Sequence, residues 1–393
     1  MVFNITTYNN INKIGLAELG DHFTIDQVGA DQADGYIIRS QNLHGVDFPS
    51  NLKAIARAGA GTNNIPVDEA TAQGIVVFNT PGANANAVKE AVLTALFLAA
   101  RDYFSATQWA NSLKGSDIPK QIEAGKSQFA GTEIAGKTLG IIGLGAIGGR
   151  IANDARRLGM EVLGYDPYVS IETAWNISSH VKRVNDLKEI FSQSDYITIH
   201  VPLTPDTANL VDRSAIALMK KGTVLINFAR AELVNHEALF EGIESGIIKR
   251  YITDFGTEEL LNRSGVTVFP HVGGSTEEAE LNCAIMASQT IRQFLETGEI
   301  TNSVNFPNVH QALSAPYRIT LINQNVPNMV AKITTAVSEL GINIDNIINR
   351  SKGEFAYTLL DLEEDDRSKI DQLVATFEAD EQIVRVRLIE GNQ

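Results

Sequence analysis

Short apolar runs alternate with stretches of helical period over most of the chain. In the N-terminal part, residues 36–40 (YIIRS), 54–60 (AIARAGA) and 75–80 (IVVFNT) read as strands of a parallel sheet. Runs this short and this uniformly apolar are buried on both faces. Residues 67–73 between the last two read as a short helix, and residues 80–87 (TPGANANA) as turn material. Residues 88–101 (VKEAVLTALFLAAR) predict a helix apolar nearly all round, hence a core helix or one at a domain or subunit seam. The alternation resumes from residue 137 to about 274, with strands expected at 138–143, 161–166, 196–201, 223–228, 251–256 and 266–271. That order is the one expected of a doubly wound sheet. A long helix over 277–297 would carry the chain back to the first domain, joining two open-sheet domains at two crossings with a cleft between them.

The pattern changes after residues 302–316. A strand at 317–322 leads into a helix with Pro327 in its first turn and Gly341 just past its end. Met329, Val330, Ile333, Val337 and Leu340 fall on one face of that helix. Strands at 342–351 and 354–363, a helix over 367–378 and a strand at 383–389 complete a βαββαβ order, that of a ferredoxin-like module. The expected fold is α/β. Two doubly wound parallel-sheet (Rossmann-like) domains, 1–88 with 280–312 and 89–279, precede a ferredoxin-like module at 313–393.

Composition narrows the function. A net charge of −15 argues against a general nucleic-acid or anionic-membrane surface, although local arginines can still hold an anionic substrate. The single cysteine, Cys283, rules out an intrachain disulfide, and a cytoplasmic protein is the simplest reading. The N-terminus lacks a signal-peptide pattern, and the apolar helix candidate at 91–100 is too short to span a bilayer. No metal is called for.

The segment KTLGIIGLGAIGGR carries the clearest chemistry. Gly143, Gly145 and Gly148 follow an apolar strand and open a helix, and Asp166 ends the next strand, eighteen residues past Gly148. Such glycines permit a tight turn and a close backbone approach to a pyrophosphate, which the helix N-terminus then faces. An acid at that strand end accepts hydrogen bonds from ribose hydroxyls and repels a 2′-phosphate. No arginine follows it in residues 167–170, so the signal favours NAD over NADP.

Hydride transfer between NAD and a hydroxy acid requires a cation for the carboxylate, an acid/base for the hydroxyl proton and a carboxylate beside that acid/base. Arg230, Asp254 with Glu258 and Glu259 beyond it, and His271 all follow strands of the second sheet. Singly, Arg230 reads equally as a surface charge, Glu259 as a solvated loop residue and His271 as a buried histidine bonded to backbone. Together they follow three successive strands. Arg39 and Arg57 end strands of the first domain and, with the N–H groups of residues 58–61, could hold a phosphate across the cleft from Arg230.

The segments ARAGAGTNNI, GLGAIGGRIA, HVPLTPDT, NFARAELV, DFGTEEL and PHVGGSTEEAE together resemble the D-isomer-specific 2-hydroxyacid dehydrogenase family, over essentially the whole chain. The C-terminal module is similar to the ACT domain carried by the phosphoglycerate-oxidising branch of that family. The resemblance implies NAD-dependent oxidation of 3-phospho-D-glycerate to 3-phosphohydroxypyruvate, the entry to serine synthesis. It implies Arg230 as carboxylate clamp, Glu259 as partner of the histidine and His271 as acid/base. It places NAD contacts at Gly143, Gly145, Ala146, Ile147, Gly148, Asp166, Val201, Asn227, Ala229, Asp254, Gly273 and Gly274, and substrate contacts at Arg39, Ser40, Arg57, Gly59, Ala60, Arg230 and His271. It also implies a homodimer or homotetramer, with L-serine at an ACT seam held by Asn323, Asn325 and Asn343. The chain departs from the family pattern at Ala60, Ala231, Phe255–Gly256 and Leu260, and only twelve residues lead from Glu259 to His271. Other activities on the same fold are a glyoxylate or hydroxypyruvate reductase and a non-enzymatic NAD-sensing co-repressor.

Overall fold

The computed structural model of the protein describes residues 2–391; positions 1, 392 and 393 of the expected domains lie outside the described residues. The chain divides into two compact units, residues 1–84 with 280–393 and residues 85–279.

In the first unit, strands β1 (Phe3–Tyr8), β2 (Phe23–Ile25), β3 (Gly35–Ile38), β4 (Ala54–Arg57) and β5 (Val76–Phe78) form a parallel sheet in the order β2-β1-β3-β4-β5. Three of these follow the apolar runs but are shorter, so Ser40, Gly59 and Ala60 lie in the loops beyond the strand ends. Apolar layers cover both faces, which is why β3 to β5 carry almost no polar side chains.

The C-terminal segment adds β13 (Tyr317–Gln324), β14 (Asn343–Lys352), β15 (Phe355–Glu363) and β16 (Ile383–Glu390), an antiparallel sheet ordered β14-β15-β13-β16. The helices Met329–Glu339 and Arg367–Glu378 cover one face through Ile333, Val337, Ile370, Leu373 and Phe377. The other face packs Ile322, Tyr357 and Leu359 into the same core as Phe78, Phe294 and Phe306. Two expectations for the first of these helices fail. Pro327 stands outside it, because Asn328 at φ 69° is its N-cap and a left-handed residue cannot continue a helix. Val330 is 44% exposed, since the core face runs through Met329, Ile333 and Val337.

In the second unit, β6 (Thr138–Ile142), β7 (Glu161–Tyr165), β8 (Lys182–Arg183), β9 (Tyr196–Ile199), β10 (Thr223–Asn227), β11 (Ile248–Thr253) and β12 (Val266–Val268) form a parallel sheet ordered β12-β11-β10-β9-β6-β7-β8. The order reverses between β6 and β9, the position at which open α/β sheets bind ligands. The helix Ala85–Ala100 is not apolar all round in use. Val88, Val92, Ala95, Leu96 and Ala99 enter the core, while Lys89 pairs with Asp154 at 3.0 Å and Phe97 is 46% exposed.

Candidate active site

The glycine turn sits between β6 and the helix Gly148–Arg157. Each glycine has its own reason. Gly143 has φ +92°, and a Cβ there would meet the His200 carbonyl oxygen at 2.5 Å. A Cβ on Gly148 would stand 1.9 Å from the Gly143 carbonyl oxygen. Gly145 has no protein atom within 4 Å of where its Cβ would be, so its backbone is open to a ligand. Ala146 and Ile147 complete the turn, with Ile147 as N-cap of the helix. Asp166, just past β7, accepts from the Leu144 N–H and the Tyr168 N–H, both at 2.8 Å, which locks the acid against the turn. Val201 follows β9 and packs beside Gly143. This open turn, its helix N-terminus and the fixed acid fit a dinucleotide. Alongside lies His200, whose Nε2 pairs with Thr198 Oγ1 at 2.8 Å; burial of the ring pushes its pKa down to about 3.

The strand ends of β10, β11 and β12 supply the acid–base groups. Buried Asn227 shapes the first of these loops. Its Nδ2 donates to the Arg230 carbonyl at 2.7 Å, and its Oδ1 accepts from the Ala229 N–H at 3.1 Å. Arg230 is exposed, and its Nη1 donates to the Ala229 carbonyl at 2.6 Å. Asp254 is only 5% exposed, and its Oδ1 has no hydrogen-bond partner. Burial raises its pKa, opposed by the charges of His271 and Arg230, so the three groups form one electrostatic cluster. His271 is exposed, its ring edge-on to Phe255 at 4.7 Å between centroids. Gly273, followed by Gly274, brings the backbone close to Asp254 Oδ2, 3.4 Å from where its Cβ would be.

The structure brings Glu259 to a different histidine. Its Oε1 contacts Nδ1 of His236, at the start of the helix His236–Glu244, and no bond joins it to His271. The loop explains this. Leu260 is buried in the core, and the N–H groups of Leu260 and Leu261 both donate to the Thr257 carbonyl, so the turn is pinned and Glu259 faces His236. Glu258 is engaged in no hydrogen bond or ion pair among the described residues.

Within the first unit, Arg39, Arg57 and Cys283 form a separate cluster. Arg57 Nε donates to the Arg39 carbonyl at 3.1 Å, and its guanidinium lies over Gly59. Burial lowers the Arg57 pKa, and the Arg39 charge adds to this. Arg39 pairs with Glu280 at 2.6 Å. The Ser40 N–H is held by Asn9 Oδ1 at 2.9 Å, and the Ala60 carbonyl by Asn79 Nδ2 at 2.7 Å. Two cations against one carboxylate leave a local positive cradle. Asn9, Asn79, Glu280 and His236 were not singled out in the sequence; only their positions just past strands or at helix starts set them apart.

The three asparagines of the C-terminal sheet are not gathered in one chain. Asn323 is buried, with Oδ1 unpartnered and Nδ2 on the Gln324 carbonyl at 2.7 Å. Asn325 Nδ2 donates to the Gly353 carbonyl at 3.2 Å, and Asn343 Nδ2 to Glu363 at 3.0 Å. Asn323 stands opposite Ala356 and Asn343 opposite Glu363, so they occupy opposite ends of β15, about 24 Å apart along an extended strand.

Residues 93–273 match the family described as D-isomer specific 2-hydroxyacid dehydrogenase, NAD binding domain. A D-3-phosphoglycerate dehydrogenase of Methanocaldococcus jannaschii is 36% identical over 312 residues, which is 77% of this chain and 57% of that protein. One of Synechocystis sp. is 39% identical over 264 residues, 66% of this chain and 46% of that protein. The chain thus spans about half the length of these curated relatives. Among solved structures, NAD+-bound 3-phosphoglycerate dehydrogenase of Entamoeba histolytica matches with a TM-score of 0.59 at 25% identity, over 78% of this chain and 99% of that one. D-mandelate dehydrogenase of Rhodotorula graminis, at 21% identity, 77% and 98% coverage and a TM-score of 0.63, shares the fold. With an open glycine turn, a fixed acid at the second strand end and an Arg–Asp–His cluster at successive strand ends, residues 93–273 carry the NAD binding domain of the D-isomer specific 2-hydroxyacid dehydrogenases.

Proposed function

We propose that the protein oxidises 3-phospho-D-glycerate to 3-phosphohydroxypyruvate with NAD. The observation that carries the reading is the electrostatic cluster of Arg230, Asp254 and His271 in a chain 36% identical to a D-3-phosphoglycerate dehydrogenase. The dinucleotide would lie on Gly143, Gly145, Ala146, Ile147 and Gly148, with its ribose on Asp166, and it supplies the hydride acceptor. Val201, Asn227, Ala229, Asp254, Gly273 and Gly274 would complete its walls. His271 takes the hydroxyl proton on a ring nitrogen. Arg230, unfolding from the Ala229 carbonyl, clamps the carboxylate in a bidentate pair. Buried Asp254 favours the imidazolium once it forms, and Glu259 would do the same on turning from His236 to His271. The Arg39–Arg57 cradle, lined by Ser40, Gly59 and Ala60, has the charge to hold a phosphate.

We also infer that the chain assembles as a homodimer or homotetramer and that L-serine binds between two ACT-like sheets. Asn325 of one copy and Asn343 of another would meet there, since one chain holds them apart. A cytoplasmic setting suits the single buried cysteine. Absorbance of NADH, followed with a panel of phosphorylated and unphosphorylated hydroxy acids, tests the activity. Turnover fastest with 3-phosphoglycerate is the expected result. A preference for glycolate or lactate would displace the phosphoglycerate assignment, and no turnover with any acid would favour an NAD-sensing binder.

A further inference from the structure

β16 spaces Arg385 and Arg387 two residues apart, so both guanidinium groups leave one face of the C-terminal sheet, the face that packs on the rest of the first unit. Carbonyls take three bonds from Arg385, at Ser50, Leu52 and Gln73, and two from Arg387, at Phe294 and Leu295. A guanidinium fork can give more than either number. Among the described residues, no carboxylate stands within ion-pair distance of either arginine. Carbonyl dipoles solvate such charges without neutralising them. Accordingly nothing holds the Arg385 pKa up: burial and the Arg387 charge both lower it, to about 10. The carboxylate whose charge reaches Arg387 is Asp34, and Asp34 is already bonded to Lys53 at 2.5 Å. Beside these groups lies a cleft of about 350 Å3, lined in part by Ser50, Asn51, Lys53, Glu378, Arg385 and Arg387. Three cations and one exposed carboxylate, Glu378, thus border one cavity. Lys53 precedes β4 and Arg57 ends it, so the cleft and the Arg39–Arg57 cradle stand at opposite ends of one strand, about 13 Å apart.

We propose that this cleft binds a small phosphorylated anion, as a second anion site separate from the Arg39–Arg57 cradle. A tetrahedral oxyanion with two charges matches the groups that border it. The arginines offer planar forks with donors to spare, Lys53 a point charge and Ser50 a hydroxyl. An apolar or cationic guest would leave the cations facing it without compensation. The volume lies near the lower end of ligand pockets, roughly 300–1,000 Å3, which suits a small molecule. The lining comes from residues 50–53 on one side and from β16 and the end of the helix Arg367–Glu378 on the other. A bound anion therefore ties the C-terminal sheet to the parallel sheet and stabilises the unit by mass action. Inorganic phosphate and the phosphate of a small monoester share this chemistry.

Hydrogen exchange on the intact chain, read segment by segment with inorganic phosphate added at constant ionic strength against chloride, locates the site. Phosphate should slow exchange over residues 50–53 and 383–387. Lys53→Gln and Arg385→Gln should each raise the phosphate concentration needed by about tenfold. Both changes touch partly buried contacts, so Glu378→Gln on the exposed rim is the companion variant. It removes a repelling charge, leaves those contacts in place and should lower the concentration needed by about threefold. Glycerol 3-phosphate distinguishes the two sources of the anion. Protection by it at the same or a lower concentration assigns the cleft to monoesters, and protection by inorganic phosphate alone assigns it to the free ion. Slowing confined to residues 57–61 would place the anion in the cradle only and overturn the proposal. No slowing at millimolar phosphate, or equal slowing by chloride, overturns it as well. So does a phosphate response that is the same in Lys53→Gln and Glu378→Gln as in the parent.

Discussion

At the scale of single residues, the glycine turn separates two roles that look alike in sequence. Gly145→Ala meets no protein atom, so folding should be unaffected while NAD affinity falls, because the added methyl occupies space left to the ligand. Gly148→Ala drives its methyl into the Gly143 carbonyl and should lower Tm as well. Paired thermal melts and NAD titrations check this; equal Tm losses in both would deny Gly145 a ligand-facing role. His271→Ala should leave NAD binding nearly intact and reduce kcat by about 100-fold or more, the usual scale for a lost general acid/base. Near-wild-type turnover would mean that another group takes the proton. His200 makes a separate claim about pH. Its folded pKa, about 3, lies below its ordinary 6.5, so the unfolded chain binds the proton more readily. Its neutral, buried form costs nothing above pH 6.5, and stability is lost as pH falls from 6.5 toward 3, by about 1.4 kcal/mol per pH unit. Urea midpoints between pH 7 and 4 should fall less steeply in His200→Gln than in the parent; identical slopes would count against the buried neutral ring.

At the scale of elements, the C-terminal sheet turns on one buried ion pair. Arg318 on β13 and Asp361 on β15 face each other in the sheet, with side chains 0% and 1% exposed, and Arg318 also donates to the carbonyls of Thr297 and Ala312. Asp361→Asn leaves a buried cation half-satisfied and should cost about 3–5 kcal/mol. Arg318→Met with Asp361→Leu should be better tolerated, and urea unfolding of both variants decides it. Elements of this kind differ in how far the sequence exposes them. Strands β3 to β6, β9 and β10 are legible because a strand buried on both faces must be an apolar run, β7, β11 and β12 because they keep short apolar stretches although they are only partly buried, and the helix Glu277–Thr297 because its helical pattern runs for 21 residues. β1, with the half-polar sequence FNITTY, and the two-residue β8 carry no such run. Arg230, Asp254 and His271 are legible because each follows an apolar strand in order. The Glu259–His236 contact is not, since it depends on how buried Leu260 pins the turn that carries Glu259.

At the scale of the whole molecule, the C-terminal module is part of the first unit rather than a pendant, and two arginines of β16 show why. Arg385 donates to the carbonyls of Leu52 at 2.7 Å, Gln73 at 3.0 Å and Ser50 at 3.3 Å. Arg387 donates to those of Leu295 at 2.8 Å and Phe294 at 3.3 Å and stacks on the Phe294 ring. Burial lowers the pKa of both, and that of Arg385, with the Arg387 charge adding, falls to about 10. Both remain charged at neutral pH, so these carbonyls, joined for Arg387 by the Phe294 ring and the charge of Asp34, offset the cost of burying them. Around them, Ile322, Tyr357 and Leu359 share a core with Phe78, Phe294 and Phe306. Hydrogen bonds to charged groups contribute about 1.5–3 kcal/mol each, and removing the donor leaves several carbonyls without partners. The expected consequence is that the module cannot unfold alone. Calorimetry should show residues 1–84 and 280–393 melting as one cooperative transition. Arg385→Ala should move that whole transition down rather than split it, while truncation after residue 312 should expose the shared apolar face and yield aggregated protein. Hydrogen exchange gives the finer check, with amides of β4 and β15 opening at one common free energy. A tail that exchanges or melts at distinctly lower temperature, leaving the parallel sheet protected, would show that the shared core and the arginine contacts do not couple the two.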